Sequence, residues 1–198
     1  MRITQIETFV YWISWCNWLF VKVSTDEGLY GWGEGSLHGA IRSVETAIHE
    51  LGAALIGQDP AGVERHWQAM YHAWRWRGGP TLSTALGALD IALWDLEGKR
   101  LGVPVYRLLG GPFRERIRAY ASHWLAGVET PEEAYVGAQE AARRGFSAFK
   151  WSPFHRQRLR SNERGEIARA AALMAAAREG AGPETEIFIE CAELLSPR

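Results

Sequence analysis

An α+β domain followed by the opening strands of a parallel β/α structure is the fold this sequence predicts. Two changes of rhythm predict it. The segment before residue 35 alternates with period two, as antiparallel strands do, and helical stripes follow it to about residue 101. After Gly110-Gly111-Pro112 the order becomes strand, helix, strand, helix, strand, which is the beginning of a parallel sheet with crossover helices. The boundary is therefore placed near residue 112, dividing the chain into 1–112 and 113–198.

Each element has its own signal. Ile3 to Ile13 and Trp18 to Ser24 are rich in β-branched and aromatic residues, with Leu19, Val21 and Val23 on one face and Phe20 and Lys22 on the other. Thr25-Asp26-Glu27-Gly28 is a turn, and Leu29 to Glu34 a third strand, so the three make an antiparallel meander. Val44, Ile48, Leu51 and Leu55 recur at helical spacing, and Gly57 stops that helix. Asp59-Pro60 reads as a cap with proline at the first helical position, opening a helix to about Trp76. Leu82, Leu86, Leu89, Leu93 and Leu96 form the longest apolar stripe, with Asp95 and Lys99 paired on another face and Gly102 and Pro104 ending the helix. Beyond the boundary, Ile117 to Trp124 reads as a strand. Thr130-Pro131-Glu132-Glu133 is a capping box opening a helix to about Arg144. Phe146 to Trp151 is a strand, about Asn162 to Glu179 an alanine-rich helix, and Ile187 to Glu190 a third strand.

Composition excludes several classes of partner. Lys and Arg number 22 against 23 Asp and Glu, so no electrostatic footprint for nucleic acid or an anionic membrane exists. No stretch approaches the roughly 20 apolar residues of a transmembrane helix, and the N-terminus runs straight into a strand without a signal-peptide pattern. Cys16 and Cys191 fit no metal or disulfide spacing. A cytoplasmic protein is the expectation. The ten tryptophans are read mainly as core residues. Arg75 and Arg77, alternating with Trp74 and Trp76, are read as snorkelling along packed tryptophans.

The stretch GGPTLSTALGALDIALWDLEGKRLGVPVYRLLGG, Gly78 to Gly111, resembles the signature region of the mandelate racemase and muconate-lactonizing enzymes of the enolase superfamily. GLYGWGEG (28–35) and LIGQDP (55–60) stand in the matching places. The combination is most similar to acid-sugar dehydratases of the galactonate dehydratase type, over about residues 1–191. The resemblance implies an α+β cap domain at 1–112 and, at 113–198, the first part (about three strands) of a (β/α) TIM-type barrel. It implies Mg²⁺ as cofactor and a chemistry that begins by removing a proton next to a carboxylate. A divalent cation stabilises the charge that the enediolate develops, and a Lys or His acts as base.

Site residues follow from the same resemblance. Lys150, in AFKWSPF, matches the first lysine of a Lys-x-Lys pattern, where it would contact the substrate carboxylate or tune a base; without the resemblance it reads as a solvated strand-end lysine. Ser152 stands where the second, catalytic residue belongs and has no comparable basicity. Glu190, followed by Ala192 where His or Asn is common, matches the first metal carboxylate. Trp15 and Trp18 fall in the loop between the first strands, which in the family reaches the substrate. His123 and His155 follow the first and second barrel strands, at the face where barrel enzymes act.

The expected function is Mg-dependent dehydration of a galactonate-like sugar acid, with this chain an incomplete fragment that is inactive alone. One carboxylate holds Mg²⁺ poorly. The alternatives are a racemase, epimerase or cycloisomerase of the same superfamily, against which Ser152 argues, or a non-catalytic binding or assembly module. The expected partners are a small sugar acid and either a second copy of the chain or a complementing barrel fragment.

Overall fold

The computed structural model describes residues 1–13, 16–191 and 194–195. The chain divides into two compact units, Met1–Phe113 and Arg114–Arg198.

In the first unit, β1 (Ile3–Ile13), β2 (Cys16–Thr25) and β3 (Tyr30–Glu34) form an antiparallel sheet in the order β1-β2-β3. Val21 faces Thr8 on one side and Gly33 on the other; Lys22 lies between Glu7 and Trp32. Alternation sorts the faces. Leu19, Val21 and Val23 are fully buried beneath α1 (Ile41–Gly52) and α3 (Pro80–Leu101). The opposite face carries Phe9, Tyr11, Trp18, Tyr30 and Trp32, all more than a third exposed.

The long helix lies against β3. Gly31 and Gly33 permit this approach, because a Cβ at either would overlap the carbonyl oxygens of Ala92 and Ala88. The predicted Asp95–Lys99 pair forms at 2.7 Å and does more than brace its helix. Asp95 accepts the Trp32 backbone N–H at 2.8 Å, and Lys99 donates to the Tyr30 carbonyl at 2.8 Å. Gly102, at φ 68, ends the helix in a left-handed turn. The short α4 (Val105–Leu108) follows.

The second helix differs from expectation at both ends. The helix expected from Pro60 starts later, as α2 (Val63–His72) behind a left-handed Gly62. The Asp59 carboxylate folds onto the Ala61 N–H at 3.0 Å, so the side chain that was to cap a helix closes a turn instead. The helix also stops short of Trp76, which is 82% exposed, so Arg75 lies 5.7 Å from an open ring rather than along packed tryptophans.

The second unit holds β4 (Ala121–Ser122), β5 (Ala148–Trp151) and β6 (Glu186–Ile189), all parallel, in the order β4-β5-β6. The strand expected over 117–124 shrinks to two residues. Its ladder consists of Ala121 opposite Phe149 and Ser122 opposite Lys150. Beyond it His123 turns left-handed at φ 55, and the Ala126 N–H bonds the His123 carbonyl. The helices are α5 (Pro131–Arg143), α6 (Arg156–Ser161) and α7 (Glu163–Ala181). Thr130 and Glu133 form the expected capping box. Phe149 and Trp151 bury against a layer made mostly of alanines, among them Ala134, Ala138 and Ala177. Lys150, between them in sequence, takes the opposite face.

Candidate active site at the parallel strand ends

The register sets the site. Ser122, Lys150 and Phe188 lie side by side across the three strands. One step further along, the Glu190 backbone N–H donates to the Trp151 carbonyl at 3.0 Å. This continuation of the ladder carries the Glu190 carboxylate to the Lys150 ammonium, at 2.7 Å. Tyr120 closes the group. Its ring lies 6.0 Å from the Lys150 nitrogen and packs edge-on against Phe188 at 5.5 Å. The hydrogen bond that Lys150 donates to Glu190 raises the Lys150 pKa, with the Glu190 charge and Tyr120 adding to it against a smaller desolvation effect. The shift favours the ammonium form of Lys150.

The other candidate residues each have their own setting. Ser152 follows β5 directly, and its hydroxyl is buried without a hydrogen-bond partner among the described residues. The His123 Nδ1 lies 3.0 Å from the Ser122 hydroxyl, so the left-handed turn folds this ring back towards the end of β4. His155 is held by its backbone: its N–H donates to Glu166 at 2.6 Å, and its side chain is exposed. Trp18 lies within β2 rather than in a loop. Ile13 lies opposite Cys16, and Trp18 packs beside Phe20 on the outer sheet face. Trp15 and Ala192 lie outside the described residues. Near the hairpin, Trp12, Cys16, Asn17, His38 and Arg42 line an open groove of about 400 Å³.

Tyr120 has no place in the sequence reading. Its signal is the alternation Tyr120, Ser122 before the turn, visible only once the register is known. Glu166 and Arg169 are also absent from that reading. Their i,i+3 spacing recurs in Glu97–Arg100 and Glu140–Arg143 and does not distinguish them.

A divalent cation needs several hard oxygen ligands. Among the described residues no cluster of three His, Cys, Asp or Glu exists, and the one candidate carboxylate, Glu190, is engaged by Lys150. The described residues therefore do not by themselves fit Mg²⁺. No helix is long and apolar enough to cross a membrane among the described residues.

The antiparallel α+β unit is a cap domain, and the three parallel strands are the start of a β/α barrel. Residues 8–110 match the model for the mandelate racemase / muconate lactonizing enzyme N-terminal domain, and the chain belongs to this family of the enolase superfamily. It is 42% identical over 190 residues to a D-galactonate dehydratase from Pectobacterium atrosepticum, covering 96% of this chain and 48% of that protein. A solved structure described as a dehydratase, from Salmonella Thyphimurium, superposes with a TM-score of 0.91 at 32% identity, covering 98% of this chain and 56% of that one. A second structure, described as an L-alanine-DL-glutamate epimerase from Burkholderia xenovorans and bound to magnesium and fumarate, has a TM-score of 0.84 at 30% identity, covering 95% of this chain and 54% of that one. The chain spans about half the length of these relatives.

Proposed function

We propose that this chain forms part of an acid-sugar dehydratase, a lyase acting on a galactonate-like sugar acid. Its likeness to D-galactonate dehydratase over 96% of its residues supports the substrate class. The observation that carries the reading is the Lys150–Glu190 pair at the C-terminal ends of adjacent parallel strands, the face at which barrel enzymes act. Residues 1–112 act as the cap and 113–198 as the opening of the barrel.

The substrate carboxylate takes the Lys150 ammonium, replacing or sharing Glu190. Ionic hydrogen bonds of this kind are about twice as strong as neutral ones. The proton next to that carboxylate is removed by a base other than Ser152, since a serine hydroxyl has no comparable basicity. The Ser152 hydroxyl, buried and without a hydrogen-bond partner among the described residues, is proposed to hydrogen-bond the sugar acid, with His123 and His155 as further candidate contacts. Trp15 and Trp18 are kept as candidate substrate contacts. Glu190 serves as a metal ligand only where further carboxylates join it, so no step is derived through a metal here. The aromatic outer face of β1–β3 supports a homo-oligomer, and a cytoplasmic setting agrees with the chemistry.

The epimerase relative favours a second reading, proton removal and return without loss of hydroxyl. Ser152 weighs against it, because two-base epimerisation places a base on each face of the carbon. A screen of sugar acids and dipeptides with Mg²⁺ separates the two. The 198-residue chain alone is expected to show no turnover, because its described residues offer one carboxylate that is already paired. Turnover of dipeptides, in this chain or in a complete relative carrying the same Lys150, Ser152 and Glu190, would overturn the dehydratase reading.

A further inference from the structure

Three Glu/Arg pairs at i,i+3 spacing form ionic forks on the helices: Glu97–Arg100, Glu140–Arg143 and Glu166–Arg169. The first two brace their own helices and lie at the surface. The third differs in burial and in what else it binds. Glu166 is 3% exposed. One of its oxygens accepts the Arg169 guanidinium at 2.7 Å and also the His155 backbone N–H at 2.6 Å. The other accepts Arg169 Nε at 2.9 Å. Arg169 in turn donates to the Pro153 carbonyl at 2.8 Å. Its remaining nitrogen is buried 3.7 Å from Glu129, and Glu129 also pairs with Arg158 at 3.0 Å. One buried fork on α7 thus grips the loop after β5 at both ends and reaches Glu129, just ahead of α5.

Burying such a pair is costly; here all but one of the polar atoms are hydrogen-bonded, two of the bonds going to backbone groups of the loop after β5, and a brace for one helix needs no burial. We propose that Glu166 and Arg169 are positioning residues that hold the loop 152–155, and with it Ser152 and His155, over the end of the parallel sheet. This rests on the reading of those strand ends as the active site. The fork acts through the Pro153 carbonyl and the His155 N–H and touches no substrate itself. It fixes where a ligand bound at Lys150 meets the Ser152 hydroxyl.

The test is amide hydrogen exchange on the full chain, resolved by residue. Glu166→Gln should speed exchange of the His155 amide by about tenfold or more, while Phe149 and the amides of α3 keep their rates. Glu140→Gln, which breaks a surface fork of the same spacing, should leave His155 unchanged. The charge swap Glu166→Arg with Arg169→Glu decides between the two roles. A helix brace would be restored by the swap, but an arginine at 166 cannot accept the His155 N–H, so fast exchange there should persist. Should Glu166→Gln fail to fold, Arg169→Lys keeps the charge and gives up the fork, and is expected to free His155 by about threefold or more. Unchanged His155 exchange in the variants that fold, or its recovery in the swap, overturns the proposal. Exchange needs no substrate, so a failed sugar-acid screen would leave this result standing, and the converse also holds.

Discussion

The two units bury their cores with different material. The first relies on branched aliphatic side chains, with Leu19, Val21, Val23, Ile48, Leu89 and Leu93 all fully enclosed. The second packs Phe149, Trp151 and Leu173 into a bed of alanines from α5 and α7. A core of many medium-sized contributors spreads its stabilisation, whereas a core of a few large ones among alanines concentrates it. Ionic groups follow the same division. In the first unit Asp95 and Lys99 are used on the backbone of a sheet edge. In the second, Lys150 and Glu190 pair at the ends of the parallel strands, and Glu166 and Arg169 pair on α7 beside the loop after β5.

The comparison is broken most forcefully by deleting one large core side chain in each unit. Phe149→Ala should cost about 3–5 kcal/mol and unfold the second unit at a urea concentration where the first remains native. Leu93→Ala should cost about 2–5 kcal/mol and weaken only the first. Residue-resolved exchange during urea titration reads both, and a single shared transition in the two variants would show that the units do not differ in this way. A smaller loss, about 1–3 kcal/mol, is expected from Gly33→Ala, because the added methyl meets the Ala88 carbonyl. It should appear as a lower melting temperature with the second unit's amides unaffected.

The smallest effect is in acid and belongs to the second unit. The Arg169 fork, with the His155 N–H, holds the Glu166 pKa below its ordinary 4.5. A depressed folded value means that the stabilisation is complete above about pH 4.5 and is lost as pH falls through the folded value. The urea midpoint of the second unit should therefore decline below pH 4.5, and Glu166→Gln should flatten that decline. An equally steep decline in the variant would assign the acid sensitivity to other carboxylates.

Legibility in the sequence followed the range of the forces involved. The strands β1 to β3, the leucine stripe of α3 and the Thr130–Glu133 box are local patterns, and the structure forms all of them. The start of α2 was not legible, because Asp59 had two local hydrogen bonds to choose between and took the Ala61 amide over a helix cap. The length of β4 was not legible either, since it is set by how much of β5 it can pair with. The second strand, read from Trp18, begins two residues earlier at Cys16, because Cys16 and Asn17 pair with Ile13 and Trp12. At the site, Lys150 and Glu190 were visible as strand-end charges. Their union at 2.7 Å, the ring of Tyr120 beside them and the burial of Glu166 depend on register and packing, which no local pattern encodes.

The closure of β3 by Asp95 and Lys99 has a consequence for assembly. An open edge strand recruits other strands through its free backbone groups. On β3 the Trp32 donor and the Tyr30 acceptor are already taken by side chains of α3, so a peptide arriving there finds no hydrogen bonds at these positions. Substituting Asp95 would remove more than a surface charge pair. It would uncover a template for strand addition beside two exposed aromatic rings, and turn a protected flank into a place where chains can stick.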